Sequence, residues 1–151
     1  MTAHAAPPIP DLDDFLCFAV HSTGFAFNRI YRKPLAKLGL TYPQFLVMTA
    51  LWGEDRVAVG ALGEKLALDT STLTPLLKRL EGMGLLARRR AEEDERRVIV
   101  SLTEKGSAMR AEAGDIMRCV FDAADLSPEA FVKLTRDIQA LRRNLERAAG
   151  V

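Results

Sequence analysis

Apolar residues spaced three and four apart recur along most of the chain, which is typical of a mainly α-helical protein. From Asp11 to about Leu38 they predict one long helix, with Asp11 or Asp13 as its N-cap and Gly39 as its C-terminal stop. Residues 1–10, which precede this helix, are small and rich in proline. We therefore expect them to form a flexible arm.

The helical segments that follow are short and close together. Thr41 begins a capping box before a buried helix at residues 45–52, and residues 59–66 have the spacing of a small helix. The hydroxyl residues that begin at Thr70 predict the start of a further helix, with Pro75 in its first turn. Two helices joined by a short turn predict a helix-turn-helix.

After residue 84 the apolar residues no longer follow helical spacing and instead alternate with polar ones. Residues 85–90 and 97–102 predict two strands, and the charged residues between them predict a hairpin loop longer than two residues. Thr103 then begins a helix that runs to about Val120, and Ser127 begins the last helix.

The last helix carries an apolar seam that can either close the core or pair two subunits. Its members are spaced three and four apart: Phe131, Leu134, Ile138, Leu141 and Leu145. Because the first helix is also long and apolar, we expect a homodimer formed by the terminal helices. The pattern predicts a single, mainly α domain over residues 11–151, with a winged helix-turn-helix at about 55–102 that includes a small β-hairpin wing. Dimerisation helices at about 11–38 and 103–149 flank it.

Composition excludes several classes of protein. A chain of 151 residues with 48% apolar and 27% charged residues is long enough to bury a core and too apolar for a disordered tail. No apolar stretch approaches the roughly 20 residues that span a bilayer, so we expect a soluble cytoplasmic protein. The two cysteines, together with His4 and His21, lack ligand spacing, so we expect no metal and no cofactor.

Positive charge is concentrated in residues 70–100, which contain seven basic and five acidic side chains although the whole chain has a net charge of only +1. DNA binding requires cations at such a helix and hairpin, because phosphate neutralisation supplies much of the affinity. The alternative is a solvated hairpin whose arginines neutralise its own acidic tip. The candidate DNA-binding residues are Thr70, Ser71, Thr72, Thr74, Lys78, Arg79, Arg88, Asp94 and Arg96.

These residues have different expected roles. The hydroxyls at the start of the helix can reach phosphates or base edges, while Lys78 and Arg79 are better placed for phosphates. Arg96 at the wing tip can enter a narrow minor groove, where the negative potential attracts a guanidinium. Asp94 is close enough in sequence to brace the Arg96 guanidinium, although such a pair can also be a surface ion pair of little consequence.

Several sequence blocks resemble a known family. The run at residues 67–81, followed by residues 93–98 and by Leu102 and Thr103, resembles the winged helix-turn-helix of MarR-type regulators. Residues 16–19 together with residues 40–44 resemble a narrower group, the organic hydroperoxide resistance regulators (OhrR type). The second cysteine, Cys119, lies in a region that resembles the two-cysteine subgroup.

This resemblance implies a dimeric repressor that binds an inverted repeat of double-stranded DNA and releases it when an organic hydroperoxide oxidises Cys17. By the same resemblance, Tyr31 and Tyr42 hydrogen-bond the reactive sulfur from across the dimer, and Cys119 resolves the sulfenic acid as an intersubunit disulfide. The alternative for each cysteine is an inert helix-packing residue. His21 stands where members of the group often have a third tyrosine.

The residues around Cys17 give mixed electrostatic signals. Asp13, Cys17 and His21 are predicted to lie on one helical stripe. Asp13 and Asp14 would disfavour a thiolate, and a protonated His21 would favour one. The alternative for His21 is an exposed helix residue without a role.

Two other functions remain open at the level of sequence. One is a MarR-type repressor that responds to a small aromatic ligand in the dimer crevice. The other is a thiol peroxidase, but the chain has neither a Cys-x-x-Cys motif nor the strand-helix alternation of a thioredoxin-like enzyme. We therefore expect a protein that is not an enzyme.

Overall fold

A computed structural model describes residues 8–150, so most of the predicted arm, His4 and the last residue lie outside the described part. The elements are α1 (Leu16–Ala36), α2 (Tyr42–Gly53), β1 (Val57–Ala58), α3 (Val59–Leu66), α4 (Thr70–Gly82), β2 (Leu86–Arg90), β3 (Val98–Leu102), α5 (Glu104–Ala108), α6 (Arg110–Ala124) and α7 (Pro128–Ala149). The chain divides into two compact units, one that ends at Ile116 and one that begins at Met117. The mainly α fold with a small β wing is confirmed.

The first helix begins later than the sequence predicts. Leu12–Asp14 form a separate 3-10 turn, and Asp11 makes no side-chain cap. Phe15 then has an extended backbone, with φ −86° and ψ 106°, which interrupts the helical geometry before α1. Asp13 is therefore not on a helical stripe with Cys17, and the expectation of an aspartate N-cap is wrong.

The core of the first unit is built around α2. Thr41 Oγ1 accepts from the Gln44 amide at 3.4 Å, and Gln44 Oε1 accepts from the Thr41 amide at 2.9 Å, so the predicted capping box is present. Phe45, Val47 and Met48 follow and are buried. A helix that is apolar on most sides is typical of a buried position, as the sequence predicts.

The turn between α3 and α4 has the geometry of a helix-turn-helix. Ala67 is left-handed, with φ 53°, and the Leu68 amide donates to the Gly63 carbonyl at 2.9 Å. A Cβ on Gly63 would lie 2.8 Å from the Leu68 carbonyl oxygen, so this close approach requires glycine. Asp69 then caps α4, which begins at Thr70 as predicted, although the cap residue is not one of the hydroxyls. The expectation that Pro75 lies in the first turn is wrong, because Pro75 lies inside the helix as its sixth residue.

The wing is a three-stranded antiparallel sheet rather than a hairpin alone. The strand order is β1-β3-β2, with Arg88 opposite Val100 and Val57 opposite Val100 on the other side. The two predicted strands are confirmed, but the sequence pattern misses β1, because two residues are too short to show alternation.

The helix predicted after Thr103 is divided in two at Met109. In an unbroken helix the Gly106 carbonyl would accept from the Arg110 amide. Here it accepts from the indole Nε1 of Trp52 at 2.9 Å, a contact between residues 54 positions apart. Tertiary contact therefore interrupts a helix that the local sequence favours, and α6 then continues past Val120 to Ala124.

The second unit consists of the end of α6 and the whole of α7. Ser127 caps α7 through the Ala130 amide at 3.2 Å, as predicted, and the rings of Phe121 and Phe131 lie 5.3 Å apart. No residue of α7 is buried. Leu134, Ile138 and Leu145 are exposed members of the predicted seam, and 61% of Leu145 is accessible to solvent.

Candidate DNA interface and thiol site

The N-terminal turn of α4 presents hydroxyl groups on an ordered scaffold. Asp69 Oδ1 accepts from the Thr72 amide and from the Ser71 hydroxyl, each at 2.7 Å. These two residues hold the pKa of Asp69 below its usual value, with the Ser71 hydroxyl as the larger cause. Thr70, Ser71 and Thr72 are exposed, and Thr74, which donates to the Thr70 carbonyl at 2.7 Å, is half-buried. The predicted hydroxyl cluster is thus together on one turn.

The basic residues of α4 lie in its second half. Lys78 and Arg79 are exposed, and neither is in an ion pair with another described residue. Because Leu73, Leu77 and Leu80 face the core, α4 presents its hydroxyls and its cations on the surface that remains. This division is what a helix lying against a phosphate backbone requires.

The wing tip is closed by a carboxylate acting on the backbone. Asp94 Oδ1 accepts from the Arg96 amide at 3.0 Å, and the Asp94 carbonyl accepts from the Arg97 amide at 2.9 Å. The expectation that Asp94 braces the Arg96 guanidinium is therefore corrected, since the contact is with the backbone of that residue. The arginine side chain remains exposed at the tip.

Arg88 is held by an acidic partner. Glu81 Oε2 accepts from Nε of Arg88 at 3.1 Å and from its Nη2 at 2.7 Å, and Glu81 Oε1 accepts from the Arg88 amide at 3.1 Å. The Arg88 side chain donates two bonds and its backbone amide a third, and together they hold the pKa of Glu81 below its usual value. Arg88, one of the candidate DNA-binding residues, therefore has its charge paired within the protein.

A cleft of about 710 Å³ lies between the helix-turn-helix and the wing. Thr70 and Thr74 of α4 line it on one side, and Arg96 and Arg97 line it on the other. Glu64 of α3 also lines the cleft and places one carboxylate among the cations. The structure thus brings residues of the predicted recognition helix and of the predicted wing to one concave surface.

The two cysteines are both exposed thiols. Cys17 is the second residue of α1, in a first turn where the backbone amides carry partial positive charge. His21, one turn later, packs edge-on against Phe25 with the ring centres 4.7 Å apart. Cys119 lies on α6 in the second unit and is also exposed.

The two tyrosines form a stacked pair. Their ring centres are 4.5 Å apart and the rings are inclined by 26°. Burial, and then the neighbouring phenol of Tyr42, raise the pKa of Tyr31 to about 12, and burial also raises the pKa of Tyr42. Both phenols therefore keep their protons at neutral pH and can donate hydrogen bonds.

Three features of the structure have no clear signal in the sequence, two at this surface and one elsewhere in the fold. The sequence shows Glu81 only as one of the acids of the basic segment, because its partner Arg88 lies on a strand and the two meet only when α4 and β2 pack together. The pattern predicts Arg97 only as part of the hairpin, although it lines the cleft together with Arg96. The contact of Trp52 with α5 has no local signal in the sequence at all.

The described part of the chain shows neither a metal-binding cluster nor a membrane-spanning helix. Within residues 8–150, no three His, Cys, Asp or Glu side chains are grouped to hold a metal ion. None of the helices in that range is both long and apolar enough to cross a membrane.

Comparison with known proteins gives consistent matches. The family model described as transcriptional regulator SarA/Rot matches residues 29–112, which is more than half of the chain. The organic hydroperoxide resistance transcriptional regulator of Bacillus subtilis is 39% identical over 134 residues, covering 89% of this chain and 91% of that protein.

Solved structures show the same fold. Reduced AbfR bound to DNA has a TM-score of 0.77 and 30% identity, with 91% of this chain and 94% of that chain covered, and AbfR has also been solved in a disulfide-formed state. The PcaV regulator of Streptomyces coelicolor, in complex with its natural ligand, has a TM-score of 0.76 and 25% identity, with coverage of 94% and 99%. Together with the winged helix-turn-helix, these matches show that the chain belongs to the SarA/Rot family of MarR-like winged-helix transcriptional regulators, which are DNA-binding proteins and not enzymes.

Proposed function

We propose that this regulator is a repressor that senses organic hydroperoxides through Cys17. In the reduced state it binds an inverted repeat of double-stranded DNA as a homodimer, and oxidation of Cys17 releases the DNA. Such a regulator acts in the cytoplasm, where its operator lies. The observation that carries the proposal is an exposed thiol on α1 of a chain that is 39% identical to an organic hydroperoxide resistance regulator.

The chemistry begins at the sulfur of Cys17. Its thiolate attacks one oxygen of the hydroperoxide, so that an S–O bond forms and the O–O bond breaks. The sulfur is oxidised to a sulfenic acid, the peroxide is reduced, and the leaving alkoxide takes a proton to become an alcohol. The phenols of Tyr31 and Tyr42 remain protonated, which supports a role as hydrogen-bond donors to an anionic sulfur.

A second thiol can complete the reaction. The thiol of Cys119 from the partner subunit would attack the sulfenic sulfur, forming a disulfide and releasing water. Exposure of both thiols supports this step, and the related AbfR has been solved in a disulfide-formed state. A disulfide requires Cα atoms about 4.4–6.8 Å apart, so its formation would constrain how the subunits are arranged.

We propose dimerisation through the terminal helices, at about residues 11–38 and 103–149. Apolar side chains of α1 are exposed, among them Leu16 at 59% and Phe25 at 53%, and the seam of α7 is exposed too. Clusters of large exposed apolar side chains on a protein surface often mark interaction sites. A two-fold axis would then place two copies of α4 and two wings on successive turns of DNA.

Trapping of the sulfenic acid tests the sensing step. Reduced protein is treated with one equivalent of cumene hydroperoxide in the presence of dimedone, and the modified residue is located by mass spectrometry. We expect the adduct on Cys17 in the Cys119→Ser variant, where no second thiol competes. No adduct on Cys17 in that variant, together with an adduct on Cys119 in the Cys17→Ser variant, would show that Cys17 is not the sensor.

Non-reducing electrophoresis tests the second step. The wild type should give a dimer band after peroxide treatment, and both Cys17→Ser and Cys119→Ser should lose it. If the wild type stays monomeric on the gel while Cys17 is oxidised, Cys119 is not the resolving thiol.

A second candidate is a repressor that responds to a small aromatic acid. One observation favours it, a cavity of about 340 Å³ between α1 and α2 with Arg32, Asn28 and Tyr42 in an otherwise largely apolar lining. The guanidinium of Arg32 would pair with a carboxylate. Salicylate without oxidant should then weaken DNA binding by the wild type and leave Arg32→Ala unaffected. Equal responses of the two proteins would remove this candidate.

A further inference from the structure

The ion pair between Glu81 and Arg88 joins the two parts of the protein that the proposed function brings to DNA. Glu81 lies in the last turn of α4, and Arg88 lies in the middle of β2. Three hydrogen bonds join them, two to the guanidinium and one to the backbone amide. Among the residues that the structure describes, no other side-chain hydrogen bond connects α4 with either strand of the hairpin.

The bond to the backbone amide gives this pair a particular position. Since β2 is the outer strand of the β1-β3-β2 sheet, one edge of β2 has no neighbouring strand. Glu81 Oε1 occupies the place of a strand carbonyl by accepting from the Arg88 amide at that edge. A carboxylate on the helix is thereby joined to the strand backbone as well as to its side chain.

Partial burial distinguishes this pair from an ordinary surface ion pair. Only 24% of the Arg88 side chain and 37% of the Glu81 side chain are accessible, whereas 69% of Glu54 is accessible in its pair with Lys65. Exposed pairs contribute little because water and salt screen them. A partly shielded pair in which one carboxylate oxygen accepts from two guanidinium nitrogens and the other from a backbone amide holds its geometry better.

We propose that Glu81 is a positioning residue that sets the angle of the wing relative to α4, so that α4 and Arg96 engage neighbouring grooves of DNA together. This inference rests on the docking mode of the proposed function. A wing held at a fixed angle loses less conformational freedom when it binds, so the contact made by Arg96 adds more to the affinity.

The sign of the expected effect separates positioning from simple electrostatics. Glu81 is an acidic residue next to a basic surface, so removing its charge should strengthen DNA binding if only long-range repulsion matters. If Glu81 holds the wing in place, removing it should weaken binding to a specific site. Glu64 is a matched control, because it lines the same cleft and its side chain makes no hydrogen bond or ion pair with a described residue.

The test is a double-mutant cycle with Glu81→Ala and Arg96→Ala. The probe is a DNA duplex selected from a random-sequence pool by the reduced wild-type protein, with a scrambled duplex for non-specific binding. We expect each single substitution to weaken binding to the selected duplex about tenfold. The double variant should bind the selected duplex no more than about twofold more weakly than Glu81→Ala does. The reason is that Arg96 adds little to the affinity when Glu81 no longer holds the wing in place.

Further variants keep the test decisive. Glu64→Ala should bind as well as the wild type or better, and binding of the scrambled duplex should not weaken in Glu81→Ala. If Glu81→Ala does not fold by circular dichroism, Glu81→Gln replaces it, since it has the same shape without the charge and we expect the same loss of coupling in smaller degree.

The proposal fails if Glu81→Ala binds the selected duplex as tightly as the wild type or more tightly. Two further outcomes would also overturn it, and they can be told apart. If the losses from Glu81→Ala and Arg96→Ala simply multiply, to about a hundredfold in the double variant, Glu81 does not position the wing although the docking mode stands. If Arg96→Ala binds the selected duplex like the wild type, the docking mode itself is wrong, and the positioning role falls with it.

Discussion

At the scale of single residues, carboxylates near the candidate DNA surface act on backbone amides. Asp69 accepts from the Thr72 amide, Asp94 from the Arg96 amide and Glu81 from the Arg88 amide. The acidic residues in and next to the basic segment 70–100 therefore do more than offset its positive charge. These carboxylates order the turns that carry the hydroxyls and arginines lining the cleft. The cations at Lys78, Arg79 and the wing tip form no ion pair with a described residue.

A glycine at the base of the wing has no room for a side chain. A Cβ on Gly106 would overlap the carbonyl oxygen of Leu85, which accepts from the Thr103 amide at 3.1 Å. We expect Gly106→Ala to lower the free energy of unfolding by about 1–3 kcal/mol, because the strand start and α5 must separate. Gly82→Ala is the control, since nothing lies within 4 Å of its Cβ position and its φ is not positive. Urea denaturation of both variants measures the difference, and equal stability would contradict the packing at Gly106.

The buried phenol of Tyr31 predicts a loss of stability in alkali. Its pKa in the folded protein is about 12 against an ordinary 10.0, so the unfolded chain releases this proton first. The stabilisation is complete below pH 10 and is lost as the pH rises from 10 to 12, with a total of about 3 kcal/mol. Between pH 9 and pH 11 the free energy of unfolding should therefore fall less in Tyr31→Phe than in the wild type, as urea denaturation at the two pH values measures. Parallel pH profiles for the two proteins would contradict it.

At the scale of elements, α4 and the wing form a composite surface whose cations are the expected source of its affinity for DNA. Lys78 and Arg79 are exposed on the half of α4 away from the hydroxyls, and they should contact phosphates rather than bases. Phosphate contacts release counterions, so their number appears in the dependence of affinity on salt.

We therefore predict that Lys78→Ala and Arg79→Ala each reduce the slope of log affinity against log salt concentration by about 1. Selected and scrambled duplexes should be affected alike, since phosphates carry no sequence information. Lys133→Ala in α7, where the lysine pairs with Asp137 at 2.6 Å, is the control and should leave the slope unchanged. Fluorescence anisotropy at several salt concentrations measures it, and an unchanged slope in Lys78→Ala and Arg79→Ala would exclude them from the interface.

The elements differ in how far the sequence predicts them. The capping box at Thr41, the start of α4 and the cap at Ser127 follow from local rules, because each is decided within four residues. The division at Met109 depends on Trp52, and β1 depends on pairing with β3, so neither has a local signal. The cleft could be anticipated as a basic surface, but the pairing of Glu81 with Arg88 appears only once α4 and β2 are packed together.

At the scale of the whole molecule, we propose that a second copy of the chain packs on the exposed apolar surfaces of α1 and α7. Ile138 and Leu145 lie on the seam of α7, and no described residue buries either side chain. A dimer would bury this surface, and it would also set the spacing between two recognition helices.

Substitution of the seam tests this arrangement. Ile138→Asp combined with Leu145→Asp should shift the protein toward monomer in analytical ultracentrifugation, because charges replace apolar contacts at the interface. Specific DNA binding should fall with it. Glu129→Ala, in the exposed first turn of the same helix, is the control for a surface change that leaves dimers intact. A double variant that remains dimeric would place the subunit interface elsewhere.

The central claim is that oxidation of Cys17 releases DNA, and a titration of the protein–DNA complex with cumene hydroperoxide tests it most directly. Anisotropy of the selected duplex is followed for the wild type and for Cys17→Ser, with thiol reductant added at the end. We predict that the wild type releases DNA at stoichiometric peroxide and recovers on reduction, while Cys17→Ser binds equally well and does not respond. Release by Cys17→Ser at the same peroxide concentration would contradict the claim.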